Sequence, residues 1–104
     1  MIIVKTTSDS KNALKKIAFK LLNNKLASCI NILEGVNSIY SWRGKIVEEK
    51  EHIMLIKTLK IKELKVYKLI KMYHNYELPE LVTLNVNNVD KPYLRWIKDS
   101  IEND

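Results

Sequence analysis

From Lys45 to Thr58 this chain runs without proline or glycine, and β-branched residues return at Ile46, Val47, Ile53 and Ile56. A strand of that length reaches about 45 Å at roughly 3.3 Å per residue. Trp42-Arg43-Gly44-Lys45 turns a preceding β-rich run into it, so the two form a long hairpin. A helix of about 13 residues covers only about 20 Å. The hairpin therefore outgrows any layer that a chain of 104 residues can lay over it, and its excess requires cover from another subunit.

Around that hairpin the remaining elements fall into place. Ile2-Ile3-Val4 reads as a short buried strand ended by Lys5, with Ser8-Asp9-Ser10 offering caps for a helix. Ala13, Leu14, Ile17, Ala18, Leu21 and Leu22 recur at helical spacing before Asn23-Asn24. Residues 27–33 and 36–42 read as one strand bent at Glu34-Gly35, because a lone glycine inside such a run marks a bulge. Residues 59–73 read as a second helix with Ile61, Leu64, Tyr67, Ile70 and Tyr73 along its apolar side, and 80–86 as a fourth strand. Asp90-Lys91-Pro92 opens a last helix.

The order strand, helix, strand, strand, helix, strand, plus a terminal helix, is the split βαβ plan of an α+β, ferredoxin-like fold, one domain over residues 1–104. His52-Ile53-Met54-Leu55-Ile56 is apolar at nearly consecutive positions, which calls for cover on both faces of the sheet. The two core helices pack on one face, so the other needs a second chain or the last helix. Self-association is thus expected a second time.

The net charge of +6 raises nucleic acid as a partner. Lysine supplies all but two of the 18 basic residues, Arg43 and Arg95, and many lysines decorate the two helices. Sequence readers of nucleic acid favour arginine forks and aromatics exposed on a sheet, so solvated helix faces are the better reading. No apolar run is long enough to span a membrane. Cys29 is the only cysteine, no secretory signal opens the chain, and a cytoplasmic location is expected. No nucleophile motif, glycine-rich phosphate loop or HExxH appears, so the chain does not read as an enzyme.

Five blocks, KLASCIN (25–31), GVNSIYSWRGKI (35–46), LIKT (55–58), YELPEL (76–81) and YLRWI (93–97), resemble those of the CutA proteins, the divalent-cation tolerance family. The resemblance implies a homotrimer with its sheets packed inward, a role in metal-ion tolerance and copper binding. It establishes no reaction and requires no cofactor. The copper ligands proposed for a bacterial member are a cysteine late in the first strand and two adjacent histidines after the second helix. Those positions are Lys5, Tyr73 and His74 here, so His74 alone is retained.

Six residues stand out as site candidates. Cys29 is a soft ligand once deprotonated, against the bland reading of a small strand residue. His74 offers one weak metal ligand, or a partial cation at a helix end. Trp42, Lys57, Tyr76 and Glu80 fall at strand ends or before one and are expected to converge with Cys29 in a cleft between subunits. Lys57 would supply a cation, Glu80 a carboxylate, and Trp42 and Tyr76 the walls; the bland reading pairs Lys57 with Glu80. Glu48, Glu49 and Glu51 read as a solvated strand surface, and so does His52. Two further functions follow: a sensor of a small anionic ligand, by fold-level analogy with the trimeric PII signalling proteins, or an assembly module without a ligand.

Overall fold

The computed structural model describes residues 1–102. Strand β1 (Ile2–Ser8) leads into α1 (Lys11–Asn23), then β2 (Cys29–Trp42), β3 (Lys45–Thr58), α2 (Glu63–Tyr73, preceded by a 3-10 turn at Lys60–Lys62), β4 (Val82–Asn85) and α3 (Lys91–Glu102). The four strands form one antiparallel sheet in the order β2-β3-β1-β4. That is the ferredoxin-like arrangement expected from the order of elements.

Local chemistry sets the boundaries. The Ser10 hydroxyl accepts the Ala13 N–H at 3.1 Å and caps α1. At the far end Lys25 takes φ +55°, with its N–H on Leu22 O and the Leu26 N–H on Leu21 O. That closing turn sets Leu26 against the edge of the core. Arg43 and Gly44 both have positive φ, as a two-residue turn between right-twisted strands requires.

Three expectations need correction. The first strand does not stop at Lys5 but continues to Ser8, because β3 pairs with it residue by residue from Thr58 to His52. The apolar side expected for the second helix holds only in part. Ile70 is buried and Tyr67 packs against the core, but Ile61 and Leu64 are 73% and 80% exposed, and Val66 is buried in their place. The 3-10 turn at Lys60–Lys62 rotates the helix start away from an unbroken 3.6-residue spacing, so the Ile61-Leu64 stripe never meets the sheet. The fourth strand is shorter than expected, Val82–Asn85.

Register assigns the faces. Val4, Thr6, Met54 and Ile56 point under α1 and α2 and close the core with Leu14, Ile17, Leu21, Val66 and Ile70. The alternate residues, Ile3, Lys5, Ile53, Leu55 and Lys57, lie on the opposite face. There α3 covers one end, where Ile97 and Ile101 pack with Leu59, Met1 and Tyr93. The hairpin projects beyond this body. The longest dimension is 46 Å, and the radius of gyration of 14.5 Å exceeds the roughly 13 Å of a compact chain of this size. No described helix is long and apolar enough to cross a membrane.

Candidate functional site

The bulge in β2 decides what can share a face. Leu33 pairs with Ile53 and Val36 with Glu51, so Glu34 and Gly35 together oppose His52. Gly35 adopts φ +68°, and its N–H donates to His52 Nδ1 at 3.2 Å. Lys11 forms an ion pair with Glu34, tying the bulge to the start of α1 and holding the Glu34 carboxyl below the ordinary range. The extra residue shifts the alternation of β2 by one. Val36, Ser38, Tyr40 and Trp42 thereby join Cys29, Asn31 and Leu33 on the face away from α1 and α2.

Residues 74–80 fold back over that face. The Tyr76 hydroxyl donates to Glu51 Oε2 at 2.6 Å and accepts the Asp9 N–H at 2.8 Å. Burial first, then the Glu51 hydrogen bond, pushes the Tyr76 phenol well above its ordinary value. Glu80 lies 3.1 Å from Lys5 Nζ and accepts the Thr7 hydroxyl at 3.4 Å. Asn75 accepts from Ser8 Oγ at 2.6 Å and donates to Asp9 Oδ1 at 2.8 Å. Farther up the hairpin, Tyr40 donates to Glu49 Oε1 at 2.5 Å, and that hydrogen bond pushes its phenol up to about 12.

The result is an open concavity of about 870 Å³ lined by Trp42, Tyr76 and Glu80 together with Asp9, Glu49, Glu51 and Glu77. It is acidic, with no lysine or arginine among the described residues of its lining, in a chain whose net charge is +6. Glu51, expected on a solvated surface, is instead 7% exposed beneath Tyr76. Its odd-numbered parity with Ile53 and Leu55 is the signal that marks it in the sequence.

Five of the six candidates divide into two groups within one chain. Trp42, Tyr76 and Glu80 share the concavity. Cys29 and Lys57 are cross-strand partners at the other end of the sheet. There Lys57 Nζ meets the Tyr93 hydroxyl at 3.2 Å and sits 5.6 Å from its ring centroid. Because Trp42 pairs with Lys45, Lys57 lies twelve residues down β3, about 40 Å away. The bland pairing of Lys57 with Glu80 does not occur within the chain, since Glu80 is paired with Lys5.

His74 is the C-cap that follows α2, its N–H on Ile70 O. The Tyr76 N–H donates to Nδ1 at 2.9 Å, which leaves Nε2 as the protonated nitrogen, donating to Thr7 O at 2.8 Å. The ring is therefore a hydrogen-bonded brace between α2 and β1, with both nitrogens engaged. A metal ion would have to displace one of these two bonds. Its contact at Thr7 is four residues along β1 from the row of Cys29 and Lys57, about 13 Å. Among the described residues no group of three or more His, Cys, Asp or Glu side chains is placed to hold a metal ion.

A bent four-stranded sheet with an overlong hairpin, two helices behind it and a third across one end defines a ferredoxin-like α+β scaffold. The comparisons give it a family. The model of the CutA1 divalent ion tolerance protein family matches residues 2–100, and the chain belongs to that family. It is 37% identical over 101 residues to the divalent-cation tolerance protein CutA of Thermotoga maritima, covering 97% of this chain and 99% of that one. It is 33% identical over 102 residues to the chloroplastic protein CutA of Arabidopsis thaliana, and spans 56% of the length of that plant relative. Among solved structures, the divalent cation tolerance protein of Thermus thermophilus superposes with TM-score 0.91 at 35% identity, over 96% of this chain and 98% of that one. The family and the bacterial relatives are named as tolerance proteins and not as enzymes.

Proposed function

We propose that this protein works as a cytoplasmic homotrimer in divalent metal-ion tolerance, binding metal ions, copper included, weakly and without a dedicated centre. The observation that carries the trimer is the bare hairpin. Ile46 is 83% exposed, Ile39 66% and Trp42 53%, so apolar side chains stand in water on both faces of a strand pair that nothing described in the same chain covers. Charge supports the same assembly. Lys57 is half-buried against Tyr93 without a carboxylate partner among the described residues, and the acidic concavity carries no cation on its lining. A neighbour's Lys57 entering that concavity would satisfy both and bring Cys29, Trp42, Lys57, Tyr76 and Glu80 into one inter-subunit cleft.

A second reading keeps the trimer and makes the cleft a sensor for a small anionic ligand. The unneutralised ammonium of Lys57 favours it. The carboxylates of Asp9, Glu49, Glu51 and Glu77 oppose it, and on that balance the tolerance reading stands first.

The test is complementation. A copper- and cobalt-sensitive host lacking its own family member should regain growth at raised metal when given this chain, and should not with the assembly-defective Ile46→Asp variant. Failure of the unaltered chain, or equal rescue by a monomeric Ile46→Asp protein, would contradict the proposal.

A further inference from the structure

A second concavity lies on the other side of the molecule and shares no residue with the first. Between α1 and α2 runs a groove of about 440 Å³, within the size range of small-molecule sites. Lys20, Lys65 and Lys68 line it, Leu69 and Met72 supply an apolar wall, and Tyr73 closes one end. None of the described lining residues is acidic. Lys20 Nζ stands 4.3 Å from the Tyr73 ring centroid and Lys16 Nζ 6.0 Å, so the aromatic face gathers ammonium groups toward one end.

Three lysines line one groove with no carboxylate among its described lining, so the groove offers positive charge for an anion to meet. The charge count favours a dianion over a single carboxylate. The wall adds a second requirement. Met72 is 62% exposed beside the partly buried Leu69, an apolar strip that an inorganic ion would leave in water. Self-association through the sheet and hairpin leaves the helical side open.

We propose that the α1–α2 groove binds a small amphiphilic dianion, a phosphate monoester with a short apolar tail. The head group sits among Lys20, Lys65 and Lys68, and the tail lies along Leu69 and Met72. The concave shape suits a single small molecule better than the flat surface of a bilayer.

Hexyl phosphate titrated into the isotopically labelled protein at low salt tests this. Saturable amide shifts confined to Lys20, Asn24 and residues 65–73 are expected. Inorganic phosphate should bind about fivefold more weakly, since each buried methylene contributes only part of a contact that stays partly wet. Hexyltrimethylammonium should cause no shift. Lys65→Glu with Lys68→Glu should weaken hexyl phosphate at least about fivefold by removing two charge contacts and adding two repulsions. Met72→Glu, on an exposed helix position, should do the same while keeping every lysine. Shifts spread over lysines elsewhere, equal binding of inorganic phosphate, or unchanged affinity in the charge-reversed protein would overturn the proposal. So would binding to phosphatidylserine vesicles with no saturable response to hexyl phosphate, which would make this face a lipid contact.

Discussion

Cys29 and Trp42 stand on the same face of β2 although an odd number of positions separates them, because Glu34 and Gly35 together oppose the single residue His52. Without that extra residue every side chain from Val36 to Trp42 would swap faces, and the acidic concavity would lose its Trp42 wall.

Gly35 is the weak point of that arrangement. Its φ of +68° disfavours any L side chain, yet a Cβ there would meet nothing within 4 Å. Gly35→Ala should therefore cost about 1 kcal/mol, from backbone strain alone. Chemical denaturation would read it. A loss near zero would mean that the bulge relaxes.

Tyr76 is expected to matter more. Tyr76→Phe leaves the buried Glu51 carboxylate without its phenol donor and should destabilise the fold by about 2 kcal/mol at neutral pH. The phenol's folded value is raised, so its contribution is complete below the unfolded value of about 10 and fades as pH climbs through the folded one. The gap between the two proteins in thermal scans should close on the alkaline side. A gap constant through strong alkali would sink this assignment.

Thr6 offers the opposite sign. Its hydroxyl is fully buried in the core face and has no hydrogen-bond partner among the described residues. Thr6→Val keeps the shape and removes the stranded donor, and should stabilise by about 1 kcal/mol. A destabilised Thr6→Val protein would show that the hydroxyl has a partner, such as a buried water.

Metal binding should be weak. With both His74 nitrogens engaged and Cys29 at the far end of the sheet, calorimetry with copper(II) should give dissociation constants no tighter than roughly tens of micromolar. Submicromolar binding of one ion per subunit would contradict this. Its survival in His74→Ala would place the ligands elsewhere.

Much of the fold is legible in the chain because its signals are local. The long run from Lys45 to Thr58, the Arg43-Gly44 turn and the Ser10 cap each depend on a few neighbours. Glu34-Gly35 is legible as a bulge for the same reason. Sequence reasoning fails where packing over distance decides. The Ile61-Leu64 stripe has the spacing of a core face, but the 3-10 turn rotates it outward. Glu51 has the surroundings of a solvated residue beside Glu48 and Glu49, and only the return of residues 74–80 buries it under Tyr76. The partner of Glu80 is Lys5, a contact between β1 and the approach to β4 that spacing does not reveal.

The most direct test of the account is the mass of the protein in solution. Light scattering at micromolar concentration should give three times 12.2 kDa, about 37 kDa, for the unaltered chain and a smaller species for Ile46→Asp, which places a charge on the bare hairpin. A mass of 12.2 kDa for the unaltered chain would mean that the hairpin stays uncovered in water, and the trimer with its shared cleft would have to be abandoned.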